Sequence, residues 1–175
     1  RMPRYCTALA LLTALLLTGC ATTFDVGGAD TMLTPQQAAA AIETARNKTV
    51  AWGGVIVDAR NLADRTQLEL LGYPLDDRNR PDRDAAPVGR FLAIHPGYLE
   101  TADYQAGRLV TVVGTVAETR AGTVGEARYV YPVLNVTGLK LWPTAQQEAA
   151  EPRFRESHGT RWRTEIQPRI REFMK

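Results

Sequence analysis

Between Val50 and Trp142 the apolar residues fall into short runs rich in Val, Ile, Leu, Thr and aromatics, each cut off by Gly, Pro or Asp. This spacing confines the region to short antiparallel strands. The runs predict strands over Val50 to Asn61, Thr66 to Tyr73, Arg90 to Ile94 and Leu109 to Ala117, with Tyr129 to Leu134 and Thr137 to Leu141 forming a last hairpin. In the fourth strand Val110, Val112, Gly114 and Val116 share one face, while Leu109, Thr111, Val113 and Thr115 share the other. One face is core and the other is mixed. Gly53-Gly54, inside the first strand, marks a bulge or sharp coil. The segment Pro96-Gly97-Tyr98-Leu99-Glu100 is expected to make a connecting helical turn that plugs one end. The expected fold is mainly β: a small OB-like closed or partly open barrel of five to six strands, with a short N-terminal helix and a helical or disordered C-terminal tail. A two-sheet sandwich of the same strands is the alternative.

Ahead of the strands, Thr34-Pro35-Gln36-Gln37 carries a helix start. Thr34 is the N-cap, Pro35 takes the first helical position, and Gln37 returns a hydrogen bond to the cap. The helix continues through Ala38 to Ala41, Ile42 and Ala45 and ends near Asn47-Lys48. Residues 21–33, with Gly27-Gly28, Asp25, Asp30 and several Thr, show no periodicity and read as a flexible spacer.

The N-terminus says where the chain resides. Arg1 and Arg4 flank Met2, and Thr7 to Thr18 is an uncharged run of 12 residues. A spanning helix needs about 20 apolar residues, so this run reads as a signal peptide over residues 1–19. It ends in Leu17-Thr18-Gly19-Cys20, which resembles a bacterial lipobox. Leu17, Thr18 and Gly19 would be recognised by the signal peptidase, and the Cys20 sulfur would take the lipid. Ala21, rather than Asp, follows the cysteine, which favours sorting to the outer membrane with the domain facing the periplasm. With Cys6 lost and Cys20 acylated, neither of the 2 cysteines is left to form a disulfide.

Composition then excludes whole classes of chemistry. The chain has one serine, Ser157, and two histidines, His95 and His158, so most Ser, Cys and His mechanisms lack their parts. Lys+Arg number 21 against 19 Asp+Glu, and the two excess cations, Arg1 and Arg4, lie in the signal segment. A nucleic-acid partner is therefore not expected. His95 has no second His or Cys in the domain with which to hold zinc. The cluster Asp76-Asp77-Arg78-Asn79-Arg80-Pro81-Asp82-Arg83-Asp84 has oxygens enough for Ca²⁺, but three arginines compete for them and the EF-hand order is missing. It reads as a solvated, internally paired loop, and no metal or cofactor is expected. Glu69, Glu100 and Glu126 stand singly, and Asp77 has only loop neighbours, so a glycosidase pair is not expected either. Trp52, Phe91, Tyr98, Tyr104, Tyr129, Tyr131 and Trp142 suit core packing better than a stacking platform. In the tail, residues 144–175, Trp162, Ile166, Ile170 and Phe173 recur at helical spacing among Arg161, Arg163, Arg169 and Arg171. That pattern fits a basic amphipathic helix or a disordered segment.

Several short motifs also occur in one order: Trp52-Gly53-Gly54-Val55-Ile56, Glu69-Leu70-Leu71-Gly72-Tyr73-Pro74-Leu75-Asp76, Gly89-Arg90-Phe91 and Pro96-Gly97-Tyr98-Leu99. After them come Gly107-Arg108 with Leu109 to Gly114, Gly125-Glu126, Tyr131-Pro132-Val133 and Leu141-Trp142-Pro143. The chain resembles the Slp family of outer-membrane lipoproteins over roughly residues 49–143, with the lipobox in addition and the tail outside the common region. The resemblance implies an outer-membrane lipoprotein of Gram-negative bacteria, induced in starvation or stationary phase, without established enzymatic activity. It carries over one functional position, Cys20.

The function expected from these readings is a lipid-anchored, non-catalytic envelope module, structural or stress-related, with the membrane as partner through Cys20 and an envelope protein or glycan as a further partner. The alternatives are a periplasmic enzyme acting on envelope glycans through loop carboxylates, and a small-ligand carrier using the barrel mouth. The domains expected are 1–19 signal peptide, 20–33 lipidated Cys and flexible tether, 34–143 helix plus barrel, and 144–175 tail.

Overall fold

The computed structural model describes residues 24–149. The segment around Cys20 and most of the tail, with Trp162, Ile166, Ile170 and Phe173, lie outside the described residues. Two short helices, α1 (Pro35–Ala40) and α2 (Ile42–Ala45), precede five strands: β1 (Thr49–Asn61), β2 (Arg65–Tyr73), β3 (Gly89–Pro96), β4 (Leu109–Val124) and β5 (Ala127–Leu141). The strands close into a barrel in the order β1-β2-β3-β5-β4, with β4 returning to β1. Every pairing is antiparallel except β3 with β5, which is parallel. This is the expected OB-like barrel with a short N-terminal helix.

Period-two alternation decides which side chains fill the barrel. In β2, Thr66, Leu68, Leu70 and Gly72 point inward, and in β4 Val110, Val112 and Val116 do the same. They meet Val50, Trp52, Ile56, Phe91, Ala93 and Leu134 in one continuous core. Phe91 is fully buried, with its ring 5.0 Å from Trp52 in an edge-to-face contact. The interior is thus filled by side chains.

One end is closed by the helices. Thr34 Oγ1 accepts from Gln37 N at 3.2 Å and Gln37 Oε1 accepts from Thr34 N at 3.0 Å, the reciprocal cap expected from the sequence. Ala38 and Ala45 are buried on the core, and Pro35 lies against Gly72 near the end of β2. The helix expected as one piece breaks at Ala41, which has φ −134° and ψ 54°. Helices this short are held by packing more than by alanine propensity. The opposite end is sealed at the start of β2. Buried Thr66 accepts from Leu99 N at 2.9 Å, and Leu99 and Tyr104 pack on the core. The expected helical turn at 96–100 is instead a non-helical loop, and its Tyr98 is exposed. Gly97, with φ 77°, directs the chain out of the strand at a position where only glycine is unstrained.

Two further expectations are corrected. Tyr129 to Leu134 and Thr137 to Leu141 are not a hairpin but one strand, β5, running through buried Val136. Asn135 reads as a turn residue, yet it pairs with Thr115, and the ladder shifts register between Val113 and Gly114 so that the strand bends without ending. The true hairpin joins β4 to β5 at Gly125-Glu126, where Gly125 has φ 58°. Gly53-Gly54 is not the bulge either. The register of β1 shifts between Ile56 and Asp58. A Cβ on Gly53 would collide with Leu75 and lie 2.9 Å from Pro81 Cγ. Glycine there admits the loop of residues 74–88 onto the barrel wall.

Beyond the core, the extended β4–β5 hairpin builds a second apolar cluster on the outside from Leu92, Tyr131 and Val133, flanked by Ile94, Val124 and Tyr129. Glu69 Oε1 is taken up there by Arg90 Nη1 at 2.7 Å and by Tyr131 O–H at 3.1 Å. Burial, then the Glu69 charge, pushes the Tyr131 phenol above its ordinary value.

Candidate functional site

The charged loop is internally paired, as its sequence suggests. Leu75 bridges to Pro81, and the Asp76 carboxylate accepts from the backbone amides of Arg78 at 2.9 Å and Arg80 at 2.8 Å. Asp82 Oδ1 accepts from Asp84 N at 3.0 Å. These carboxylates fold the loop by capping its own amides, an Asx-type use of acids that sequence spacing alone does not separate from metal ligation. Among the described residues no three of His, Cys, Asp and Glu group as metal ligands.

The loop delivers Asn79 and Arg80 to one face of the barrel. Asn79 stands at φ 60°, a left-handed conformation that asparagine tolerates. Its Nδ2 donates to the Phe24 carbonyl at 2.9 Å, and its own carbonyl accepts from Thr111 Oγ1 at 2.6 Å. Thr111 Oγ1 in turn accepts from Trp142 Nε1 at 2.9 Å. A single relay therefore ties the first described residue, the loop, β4 and the end of β5 together. Arg80 lies over the Trp142 ring at 5.7 Å and Lys140 at 5.6 Å, and Arg80 Nη1 also pairs with Glu148 at 2.6 Å. Thr111 is fully buried, so Thr111→Val removes both of its bonds without changing its shape. The expected loss is about 2–4 kcal/mol, read as a lower urea midpoint at unchanged slope.

Within the expected tether, residues 24–33 lie on the barrel. Asp30 N donates to Thr49 O at 2.9 Å and Ala51 N donates to Asp30 O at 3.0 Å, so Asp30 extends the sheet beside β1. Asp30 Oδ1 accepts from Met32 N at 2.8 Å and Leu33 N at 3.0 Å, and the Leu33 and Met32 amides hold this carboxyl below its usual range. The turn aims the Leu33 carbonyl at Trp52 Nε1, 2.6 Å away. A shallow groove of about 260 Å³ lies outside the barrel between this turn and Tyr73 to Asp76.

Beside the relay is a cleft of about 330 Å³ lined by Arg80, Arg83, Arg108, Leu109, Trp142 and Thr144 among others. Arg108 is fixed by backbone carbonyls, donating from Nη1 to Asp103 O and from Nη2 to Trp142 O, each at 3.0 Å. Its Nε is buried with no acceptor among the described residues. Nothing in the local sequence marks this convergence, because Arg80, Arg108 and Trp142 come from three separate segments.

The other sequence candidates scatter. His95 sits opposite Thr66 at the end of β3, and its Nδ1 is buried without a partner among the described residues. Glu100 caps its own turn by accepting from Ala102 N at 3.1 Å, and Glu126 is exposed at the hairpin tip. The aromatics divide among the core (Trp52, Phe91), the outer cluster (Tyr129, Tyr131), the closing loop (Tyr98, Tyr104) and the relay (Trp142), so they share no platform. Leu17, Thr18, Gly19 and Cys20 precede the described residues.

Comparison with known proteins places this architecture. The chain is 35% identical over 144 residues to the uncharacterized lipoprotein YeaY of Escherichia coli K12, covering 79% of this chain and 73% of that one. It is 31% identical to the outer membrane protein Slp of the same organism over 52% of this chain and 48% of Slp. An uncharacterized protein of Haemophilus influenzae is 33% identical over 57% of this chain and 54% of its own length, so the chain spans about half of these last two relatives. Among solved structures, the small single-stranded DNA-binding protein of Streptomyces coelicolor is similar at 13% identity and a TM-score of 0.33, covering 55% of this chain and 95% of that one. A likeness at that level carries no argument. The model of the outer membrane lipoprotein Slp family matches residues 17–168, which is wider than the expected 49–143 and takes in much of the tail. With this match over most of its length, the chain belongs to the outer membrane lipoprotein Slp family.

Proposed function

We propose that this chain is a lipid-anchored, non-catalytic module of the outer membrane, acylated on Cys20 after cleavage at Gly19 and facing the periplasm. The observation that carries the reading is the run Leu17-Thr18-Gly19-Cys20, which ends four residues before Phe24, the point where the chain is bonded to the barrel. Three acyl chains, at about 0.8 kcal/mol per buried CH₂, hold far more firmly than the marginal single chain. The family match, which begins at residue 17 and so includes this run, supports the same reading.

Support for a role without catalysis comes from how the carboxylates are used. Glu69 is neutralised by Arg90, Asp76 and Asp82 cap loop amides, and Glu126 is isolated at a hairpin tip. No two of these stand as the acid and base that glycan hydrolysis requires. The filled barrel likewise points to action through the outer surface, as a structural or binding element for an envelope protein or glycan. Intact-mass measurement on chain purified from membranes tests the proposal. The expected species begins at Cys20 and carries the added mass of diacylglycerol and a fatty acid; an unmodified N-terminus upstream of Cys20 refutes it.

A further inference from the structure

We infer that the cleft between Arg80, Arg83 and Arg108 is a binding site for a phosphate diester, occupied by the headgroup of an anionic lipid in the membrane that holds the anchor. The inference rests on the proposed acylation of Cys20 for the source of the phosphate, and on the cleft alone for its chemistry.

Three guanidinium groups, two from the 74–88 loop and one from the residue before β4, border one opening, and no carboxylate lines it among the described residues. Arginine presents planar, forked donors that match phosphate oxygens, so clustered guanidiniums select that anion class. Their charges are poorly compensated. Arg108 is held by two carbonyl oxygens, which orient it without neutralising it, and its Nε has no acceptor among the described residues. Arg83 is exposed and has no ion pair among the described residues. Arg80 does have one, with Glu148, but that pair is part-exposed at 29% and 43% of the side-chain surfaces. Such a pair is weak enough for a doubly bonded phosphate to exchange with it. The Trp142 ring and Leu109 supply an apolar wall beside the cations, which suits an amphipathic headgroup better than a free ion.

Chain length supplies the occupant. Three residues lie between Cys20 and Phe24, a reach of about 14 Å over four steps when fully extended. The Phe24 carbonyl is bonded to Asn79, and the next residue is Arg80. A lipid-bearing Cys20 therefore holds this face near the headgroup layer, itself roughly 5–8 Å thick on each side. The opposite charge of anionic lipid lies within a Debye length, about 8–10 Å, of guanidiniums at that distance.

Arginine footprinting tests this. The acylated chain purified from membranes is placed in nanodiscs of phosphatidylcholine alone, or of phosphatidylcholine with phosphatidylglycerol, and treated with phenylglyoxal. A third sample, in nonionic micelles, receives glycerophosphoglycerol, the soluble diester of the same headgroup. The modification rates of Arg83 and Arg108 are expected to fall about fivefold or more in the phosphatidylglycerol discs relative to phosphatidylcholine, with Arg128 at the distant hairpin tip unchanged. Arg83→Glu is expected to abolish the protection of Arg108, and Arg83→Lys to retain most of it. Equal rates in the two discs overturn the inference. Protection by glycerophosphoglycerol in micelles without protection in the discs also overturns it, by assigning the site to a soluble diester. Loss of the acyl mass is seen before reconstitution and refutes the anchoring proposal separately, since the micelle sample still reports on the cleft.

Discussion

Gly114→Val is expected to prevent the barrel from closing. A Cβ at residue 114 would run into the carbonyl oxygen of Asn135 and lie 2.9 Å from its carbonyl carbon and 3.0 Å from Leu134 Cγ. The obstacle is backbone, so no rotamer change relieves it. Nor can β4 retreat, because Gly114 is paired with Val50 of β1 on one side and with Val136 of β5 on the other. The neighbouring register shift, between Val113 and Gly114, depends on the same close approach. Overpacking with rigid surroundings on both sides costs more than about 4 kcal/mol, a large part of the 5–15 kcal/mol that a domain has in total. The expected observation is loss of near-ultraviolet circular dichroism and of amide dispersion at 25 °C. A cooperative transition within a few degrees of the parent would show that the strands can separate locally.

Phe91→Ala is expected to cost about 3–5 kcal/mol while leaving the chain folded. Phe91 has no exposed surface, and its ring touches Trp52 at the centre of the core. Its loss leaves a cavity among Trp52, Leu70 and Leu134 that rigid strands close only in part. Because Trp52 is also fixed through its indole N–H to the Leu33 carbonyl, it cannot tip into the space without breaking that bond. Urea denaturation should show the lower midpoint. Phe91→Leu, which keeps most of the volume, should recover more than half of the loss.

The fold was legible where local pattern and global structure agree. Alternation in the fourth strand put Val110, Val112 and Val116 on one face, which is buried in the core, and Thr34-Pro35-Gln36-Gln37 announced a cap that forms as written. Patterning failed where tertiary contacts override turn chemistry. Asn135 lies mid-strand because Gly114 leaves room for its carbonyl, and nothing near residue 135 in the chain says so. The same reason hid Asp30 within a stretch that resembles a linker: its partners, Thr49 and Ala51, are some twenty residues away. The loop acids were visible as a cluster, but whether a carboxylate caps an amide or binds an ion depends on backbone geometry. The arginine cleft was least legible of all, since its cations come from the 74–88 loop and the start of β4, with Trp142 from beyond β5.

The parallel seam between β3 and β5 is narrow, with only Leu92, Ala93 and Ile94 matched to Val133, Leu134 and Asn135. This seam has the shortest ladder of the barrel, so amide hydrogen exchange under native conditions is expected to proceed fastest there and slowest along β4–β5. A split would bare the flank of β3, which is a template for joining another chain's strand. The Tyr131 and Val133 side chains, packed on Leu92 across that line, work as a hasp over it, and loosening them would turn a closed wall into a sticky one.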